Sequence, residues 1–368
     1  MKIAGLGLVF SLCLMSGCGT TPSSVTTSTE AAVRSYNGTA SVGDFLTISI
    51  DSSALTITYK NYSNGESGTV PYTVNANGTY AIADPKGNLQ AGYEVPGFVM
   101  MIETAKSGAN EDTPALVTAI ESVPASINTF AGEGFNYVQF RTANGGTEIG
   151  TITIDGEGNI THDGYSPFQV FSGDAFSGGS IAATGVQEDA SGDFFTIADS
   201  GGSNDYAFGT ANGFFVVDTG SGTILSLPKA AAKSFDARVA GSYTAIYYEK
   251  ADAQVGPGNT ETGTATEGVG SITVSAGGVV TISDSGGNTL ATGTLAAVAD
   301  TSYLYDGNSS ELLDPLYGMF TFRTATVNSQ QDVFVSFEGN AMIFSSFETA
   351  LPIAGYAPYT YFYGVGLK

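Results

Sequence analysis

The chain has 368 residues, and 35 Asp and Glu against 12 Lys and Arg give it a net charge of −23 at pH 7. No cluster of Lys and Arg interrupts this negative charge, which excludes binding to the phosphate backbone of nucleic acids and disfavours lying flat on an anionic lipid surface. Disorder is excluded by 42% apolar residues, and 49 Gly among abundant Thr, Val, Ile, Tyr and Phe predict an all-β fold with many tight turns.

The first 18 residues have the layout of a cleaved export signal. Lys2 supplies a positive charge, Ile3 to Met15 form a short apolar run, and small residues precede Cys18. These 13 apolar residues are too few to span a bilayer, which takes about 20. Met15-Ser16-Gly17-Cys18 resembles a bacterial lipobox, which implies a signal peptide over 1–17 and Cys18 as the lipidated first residue of an exported lipoprotein.

The segment after Cys18 predicts a tether. Residues 18–35 are rich in Ser, Thr and Ala without apolar periodicity, as in flexible linkers. Cys13 leaves with the signal, so no disulfide can form within the mature chain. The resemblance to a lipobox implies an acyl (palmitate) anchor on Cys18. In Gram-negative lipoproteins, an Asp after the lipidated Cys holds the protein at the inner membrane. Gly19 stands at that position here, so the resemblance implies the outer membrane if the host is Gram-negative. We expect a protein that is exported and lipid-anchored to the cell envelope.

One hairpin pattern recurs along the rest of the chain. Alternating β-branched residues lead into a turn that opens with Asp, Asn or Ser and closes three residues later with Gly, and alternating residues follow. The turns open at Asp51, Asn75, Asp155, Asp189 and Ser275. Ala54 stands where Gly is expected in the first copy, which predicts a different turn there.

Two markers predict three related repeats. Pro124, Pro228 and Pro352 each lie shortly before an aromatic strand, and the turns at Asp51, Asp155 and Ser275 follow a similar spacing. We place the repeats at 36–133, 134–240 and 241–354, with a closing aromatic strand over 355–368. Each repeat is expected to be an antiparallel meander, and the three to form tandem barrels or sandwiches.

A β-propeller-like closed ring is the alternative architecture. Turns such as Asp199-Ser-Gly-Gly and Asp284-Ser-Gly-Gly resemble propeller hairpins, but the turns are spaced too unevenly for equal blades.

Apolar runs predict buried strands at Phe98–Ile102, Phe214–Val217 and Met319–Phe322. Thr113 and Pro114 could instead cap and begin a helix over 113–122. The corresponding segment in the second repeat, Thr223–Leu227, looks extended, so helix and strand both remain open for 113–122.

Asp218-Thr219-Gly220 follows an apolar strand and resembles the catalytic loop of pepsin-like aspartic proteases, in which two carboxylates share one proton. A second Asp-Thr/Ser-Gly loop at a matching distance is lacking. The other reading of Asp218 is an ordinary strand-end turn in a chain rich in Asp, Thr, Ser and Gly.

The turn Asp155-Gly-Glu157-Gly-Asn159 alternates oxygen ligands and resembles the start of a calcium loop, although Ile160 stands where that loop needs Gly. No cofactor is predicted apart from a calcium ion at such a turn. His162 is the single histidine and is interpreted as a surface strand residue. Without other His or Cys, zinc and thiol chemistry are excluded, and no phosphate-binding loop indicates nucleotide use.

These observations favour a non-enzymatic binding or structural protein at the cell envelope. Its partners would be the membrane through the lipid anchor and a glycan, a basic protein or another envelope protein. Glycans could stack on Tyr137, Tyr247, Tyr248 or Tyr361, although alternating tyrosines are also typical of barrel cores. The alternative is an extracytoplasmic hydrolase, a glycosidase or aspartic-protease-like enzyme, that uses paired carboxylates.

Overall fold

A computed structural model describes residues 32–85, 89–95, 97–105, 113–122, 126–141, 147–165, 176–198, 204–210, 213–229, 235–255, 261–298, 319–325, 330–348 and 359–368. Within these ranges the chain is β-structure apart from short 3-10 turns at Ile127–Phe130, Ala183–Gly185 and Ala237–Val239. No helix in the described part is long and apolar enough to cross a membrane. The signal, Cys18, Pro124, Pro352 and the turn at Asp199 lie outside the described residues.

The first eight strands form a closed barrel, which we call unit 1. Each strand pairs with the next, and the first pairs with the eighth through Tyr36↔Glu121 to Ala40↔Val117. The strands are β1 Val33–Ala40, β2 Phe45–Asp51, β3 Thr56–Asn61, β4 Ser67–Val74, β5 Tyr80–Ile82, β6 Leu89–Val95, β7 Phe98–Ala105 and β8 Thr113–Glu121.

The next nine strands form one antiparallel sheet, unit 2, in the order β12-β11-β10-β9-β17-β16-β15-β14-β13. Strand β9, the first of the unit along the chain, pairs with β17, the last, as the first and last strands do in unit 1. The strands are β9 Gly134–Phe140, β10 Thr147–Ile154, β11 Ile160–Tyr165, β12 Phe176–Ile181, β13 Val186–Glu188, β14 Phe195–Ala198, β15 Asn204–Gly209, β16 Phe215–Asp218 and β17 Thr223–Pro228.

The last nine strands form unit 3, in the order β21-β20-β19-β18-β26-β25-β24-β23-β22. Here β26, the ninth strand, pairs with both β18 and β25, so it joins the first strand of the unit to the eighth. The strands are β18 Gly241–Val255, β19 Glu261–Val274, β20 Val279–Ser283, β21 Thr289–Thr294, β22 Ala296–Ala297, β23 Phe320–Ala325, β24 Gln330–Glu338, β25 Ala341–Glu348 and β26 Tyr359–Leu367.

The three units share one topology that differs only at the fourth strand. In unit 1, β4 is continuous, pairing with β3 through 67–71 and with β5 through 72–74. In unit 2 the same strand is split, so that β12 pairs with β11 and β13 with β14, on either side of residues 182–185. In unit 3, Leu295 separates β21 from β22 in the same way. The fold is therefore three antiparallel eight-strand meanders, which confirms the prediction of all-β barrel-like repeats over a propeller.

Each unit encloses its own apolar core, and a fourth core lies among the units. The fourth cluster, which we call the shared core, takes residues from all three units, among them Leu116, Val138, Phe140, Ile246 and Tyr363. In β8, for example, Ala115, Val117 and Ala119 face the inside of unit 1, while Leu116 and Ile120 face the shared core. Strands at the shared core are therefore buried on both faces.

The expected hairpin turns form as their sequences dictate. Asn75, Asp155, Asp189 and Ser275 each accept a hydrogen bond from the N–H of the Gly three residues on. Those glycines, Gly78, Gly158, Gly192 and Gly278, all have φ between +75° and +86°, a conformation that costs Gly no steric energy. At Asp51 the turn differs, as predicted, because Leu55 takes the left-handed position with φ +53°.

The helix considered for 113–122 is wrong, because this segment is strand β8. Residues Ala115 to Ile120 are all buried. A run buried on both faces of a strand cannot be told from a buried helix by periodicity, so the local signals at Thr113 and Pro114 were misleading.

Several glycines lie inside strands rather than in turns, and each faces an aromatic ring across the ladder. The directly paired residues are Tyr59↔Gly68 in unit 1, Tyr137↔Gly150 in unit 2 and Tyr247↔Gly268 in unit 3. A Cβ on Gly150 would lie 2.6 Å from the Tyr137 ring, so the missing side chain gives the ring its space. The interpretation of glycine as a turn residue alone was therefore incomplete.

Candidate functional site

In the described part of the chain, the carboxyl group with the largest pKa shift is that of Asp218, at the end of β16. It is 1% exposed and lies between units 1 and 2. The Thr39 hydroxyl of β1 donates to Oδ2 at 2.5 Å, and the Gly220 N–H donates to Oδ1 at 2.9 Å. Thr223 Oγ1 lies 3.1 Å from Thr39 Oγ1 and extends this polar contact between the units.

Burial raises the pKa of Asp218 to about 7, because the charged carboxylate has lost its water. The hydrogen bonds from Thr39 and Gly220 oppose this rise, and the negative charges of Asp44 and Asp205 add to it. The carboxyl group is therefore held in place by partners from two units. Its resemblance to a protease loop stops at the turn sequence, since the carboxyl group is sealed from substrate and bonded to a threonine of unit 1.

The same interface contains a close backbone approach. The β1–β2 turn of unit 1 packs on the β16–β17 turn of unit 2, and a Cβ on Gly43 would lie 2.2 Å from the Gly220 carbonyl carbon. Gly43 also has φ +89°, so both its conformation and its surroundings require glycine. Nearby, the Asn37 side-chain amide donates to the Asp193 carbonyl at 2.7 Å.

A second polar cluster lies inside unit 1, near the end where β1 begins. Arg34 binds Glu94 with two hydrogen bonds, from Nε at 2.5 Å and Nη2 at 2.7 Å, and the hydroxyls of Tyr36 and Tyr80 also donate to this carboxylate. Burial alone would raise the pKa of Glu94, but these donors outweigh it and lower the pKa. Tyr72 packs on Tyr80 with ring centroids 4.5 Å apart.

This cluster was not predicted from the sequence. The spacing of Arg34 and Tyr36 puts both on the inward face of one strand, but nothing local links them to Glu94, which lies 60 residues from Arg34. Unit 2 contains a related contact, in which the Tyr137 hydroxyl donates to buried Glu148. Both pairs fill the inside of a unit and leave these carboxylates bonded to the protein.

The turn at Asp155 uses its carboxylate internally. Oδ1 accepts the N–H groups of Glu157 and Asn159 at 2.9 Å, and Oδ2 accepts the Asn159 amide at 2.7 Å. These bonds lower the pKa of Asp155. Asp284 makes the same contacts with Asn288. In the described part of the chain, no three His, Cys, Asp or Glu side chains are grouped as metal ligands.

The prediction that His162 is a surface strand residue is wrong. It is half-buried in β11 on the same face as buried Ile160, and a Cβ on Gly179, its partner in β12, would lie 2.6 Å from its Cε1. The absence of a side chain at Gly179 provides the space for the imidazole.

The tyrosines considered for sugar stacking are all buried, namely Tyr137, Tyr247, Tyr248 and Tyr361. Tyr248 and Tyr361 belong to the shared core. There the rings of Phe140 and Tyr363 stack with centroids 4.7 Å apart, and those of Tyr363 and Tyr248 at 5.0 Å, which joins unit 2 to unit 3. Their rings contribute to packing and are not available to a glycan at the surface.

Comparison with known proteins identifies no family. No family model and no curated protein sequence matches the chain. Among solved structures, it is similar to a double mutant of the vaccine antigen transferrin-binding protein B from Haemophilus parasuis Hp5, at 12% identity over 92% of this chain and 76% of that one, with a TM-score of 0.29. It is also similar to the DNA polymerase III subunit beta from Pseudomonas aeruginosa, at 10% identity over 91% of this chain and 92% of that one, with a TM-score of 0.12. These TM-scores are too low to assign a shared fold or function.

Proposed function

We propose that the protein is an extracytoplasmic lipoprotein, anchored through Cys18, with a non-enzymatic binding or structural role at the cell envelope. The observation that carries this proposal is how the chain uses its reactive side chains. Asp218 joins two units, His162 packs inside one, Glu94 and Glu148 bond to tyrosines within units 1 and 2, and Asp155 caps its own turn. These groups stabilise the fold instead of lining a cleft.

The architecture supports a role in display and binding. Three units joined by a shared core form a large body, and an excess of 23 negative charges keeps its outer surface hydrated. The lipobox-like segment ending at Cys18 would hold this body at a membrane, since two or more acyl chains anchor a protein stably. Partners at the envelope would contact the acidic outer faces of the units.

The test is the accessibility of the folded body on intact cells, with Cys18→Ala as the control. We expect antibody or protease to reach the wild-type protein on the cell surface, and the Cys18→Ala protein to be lost from the membrane fraction. Incorporation of a labelled fatty acid into wild type but not into Cys18→Ala would establish the anchor. Unchanged membrane association in Cys18→Ala, without fatty-acid labelling of wild type, would overturn the proposal.

A further inference from the structure

Three polar side chains on the inner side of unit 2 have atoms that bond to nothing in the described part of the chain. Gln139 Oε1, Arg141 Nε and Ser226 Oγ are buried, and none of these atoms has a hydrogen-bond partner there. Gln139 lies in β9, Arg141 directly follows this strand, and Ser226 lies in the adjacent β17. Buried polar groups are normally hydrogen-bonded, so three such atoms on neighbouring strands require a common explanation.

The pairing register places the three side chains on one face of the sheet. Tyr137 belongs to the inner core of unit 2, and Gln139 and Arg141 follow it at alternate positions, so they turn to the same side. Ser226 pairs directly with Tyr137 and shares its face. Burial and the Glu148 carboxylate raise the pKa of Tyr137, and the positive charge of Arg141 opposes this rise, which places the guanidinium near the Tyr137 hydroxyl.

The Tyr137 side chain does not cover Ser226. Its ring lies over Gly150 of β10, and a Cβ on Gly164 of β11 would meet both the Tyr137 hydroxyl and the Glu148 carboxylate. The Tyr137 side chain therefore leans across β10 towards β11, whereas Ser226 flanks it on the opposite side, in β17. The Ser226 hydroxyl thus faces the interior beside the tyrosine and not beneath it.

Each of the three atoms offers a defined hydrogen-bonding role. Gln139 Nε2 donates to Thr219 Oγ1 at 3.3 Å, and the Thr219 hydroxyl donates to the Gly222 carbonyl at 3.2 Å. Because the Thr219 proton points to Gly222, the Thr219 oxygen accepts from Gln139, which assigns the amide nitrogen to this contact and leaves Oε1 as an acceptor. Arg141 Nε can only donate, and Ser226 Oγ can donate or accept.

The guanidinium of Arg141 determines the charge of a suitable ligand. A guanidinium stays protonated in proteins, and a buried charge is costly unless an opposite charge pairs with it. Among the described residues no carboxylate forms an ion pair with Arg141, and Glu148 accepts from the Tyr137 hydroxyl instead. In unit 1, by contrast, the inward Arg34 binds Glu94 directly. Arg141 therefore favours a ligand that brings its own carboxylate.

The three side chains lead inward from the surface. Arg141 is half-buried, whereas Gln139 is 2% exposed and Ser226 0% exposed. Alternate residues of a strand are about 6.6 Å apart, so one small molecule can contact neighbouring positions on this face. A ligand with its carboxylate at Arg141 and a second polar group further in would match this order.

We infer that the inner face of unit 2 binds a small carboxylate with a hydrogen-bond donor on the neighbouring carbon, that is, a 2-hydroxy or 2-amino carboxylate. Arg141 pairs with the carboxylate, Gln139 Oε1 accepts from the hydroxyl or amino group, and Ser226 Oγ bonds to either group. We call these three residues the inner polar site. It uses neither the anchor at Cys18 nor the acidic outer faces, so its test is independent of the proposed function.

Four three-carbon molecules of nearly equal size test this inference on the purified full-length protein. Lactate and alanine carry both a carboxylate and a donor on the neighbouring carbon, propionate lacks the donor, and lactamide lacks the carboxylate. Isothermal titration calorimetry should show millimolar or tighter binding of lactate, alanine or both. Propionate and lactamide should bind at least about tenfold more weakly, because each loses a hydrogen bond to a buried polar group.

Substitutions at the inner polar site should weaken this binding. Arg141→Gln should lower the affinity at least about tenfold, and Ser226→Ala about threefold or more. Without ligand, both variants should melt at no lower temperature than wild type, because the atoms removed include the unpartnered ones. Arg238→Gln is the matched control for an arginine whose side chain is 91% exposed, and Ser345→Ala for a buried, unpartnered serine in unit 3. Both controls should leave binding unchanged.

The pattern of binding decides the inference. Binding of lactate alone identifies a hydroxy acid as the ligand class, and binding of alanine alone identifies an amino acid. If neither binds at about 10 mM, water alone bridges the three atoms and the inference is wrong. Propionate or lactamide that binds as tightly as lactate and alanine would also overturn it, as would binding that survives Arg141→Gln.

Discussion

The strands at the shared core and those on the outer wall of the same units differ in how many of their residues are buried. Strands such as β9 and β16 are buried on nearly every residue, because one face fills the unit and the other fills the shared core. Strands such as β3 and β20 alternate between buried and more exposed positions. Among the residues whose burial the structure describes, none from the third and fourth strands of the three units belongs to the shared core.

This difference accounts for where the repeats diverge. The fourth strand is continuous in unit 1 and broken in units 2 and 3, at residues 182–185 and at Leu295. A break on the outer wall leaves unpaired backbone groups that water can satisfy, whereas the same break at the shared core would bury them at a cost of about 1–3 kcal/mol each. The repeats have therefore kept their first, seventh and eighth strands intact.

The largest effect should come from the turn that joins units 1 and 2. Gly43→Ala forces an unfavourable φ and a clash with Gly220, and should lower the free energy of unfolding by about 4 kcal/mol. Gly65→Ala is the matched control, because Gly65 has φ +78° but nothing within 4 Å of its added Cβ. It should cost about 1–2 kcal/mol. Chemical denaturation measures both, and equal losses would show that the contact between the turns adds nothing.

A pH-dependent loss should follow from Asp218. Its pKa of about 7 in the folded protein lies above the ordinary value of 3.8. As pH rises from 4, the unfolded chain releases this proton first, so the folded state loses relative stability until about pH 7. Asp218→Asn replaces the titratable carboxyl group with a neutral amide. The free energy of unfolding of this variant, relative to that of wild type, should therefore increase by on the order of 3 kcal/mol between pH 4 and pH 7.

Denaturation of both proteins across this pH range measures the change. Asp155→Asn is a control of opposite sign, because the pKa of Asp155 is lowered in the folded protein and its contribution is lost as pH falls. A stability difference between wild type and Asp218→Asn that does not vary with pH would contradict the burial of Asp218 at the interface.

The strand glycines give a smaller effect. Gly150→Ala would place a methyl group 2.1 Å from the Asp163 carbonyl oxygen and against the Tyr137 ring, and should cost about 2 kcal/mol. Gly156, in the neighbouring turn, has nothing within 4 Å, and Gly156→Ala should leave the melting temperature almost unchanged. If Gly150→Ala were equally neutral, the pairing of Tyr137 with Gly150 would not determine the packing inside unit 2.

The smallest effect should be on the outer wall. Thr58 and Thr69 face each other across β3 and β4 in solvent, with their hydroxyl oxygens 2.9 Å apart, so Thr58→Val should change stability by less than about 1 kcal/mol. Thr39→Val makes the same change at the interface and removes a donor from Asp218, which should cost about 2 kcal/mol. Thermal denaturation of the two variants tests whether the outer wall and the interface between units 1 and 2 differ. A larger loss of stability in Thr58→Val than in Thr39→Val would refute this difference.

Local features of the fold could be predicted from the sequence, because their causes are local. The turns at Asn75, Asp155, Asp189 and Ser275 need only an opening side chain and a glycine three residues on. The alternation of β-branched residues likewise predicts the strands of the outer wall.

Features that depend on distant residues could not be predicted in this way. The partner of Asp218 is Thr39, 179 residues away in another unit, so the sequence around Asp218 resembled a catalytic turn as well as an interface. The helix considered at Thr113 failed because β8 is buried by two different cores. The roles of Gly150 and Gly179 depend on the ring across the ladder, which is known only once the register is known.

The most direct test of three units built around one shared core is native-state hydrogen exchange measured strand by strand. The account predicts that amides of β8, β9, β17, β18 and β26, which come from all three units, exchange slowest and with one common free energy, while β3, β4, β20 and β21 exchange faster. Three separate exchange free energies, one for each unit, or equal protection of core-facing and outer strands, would contradict it.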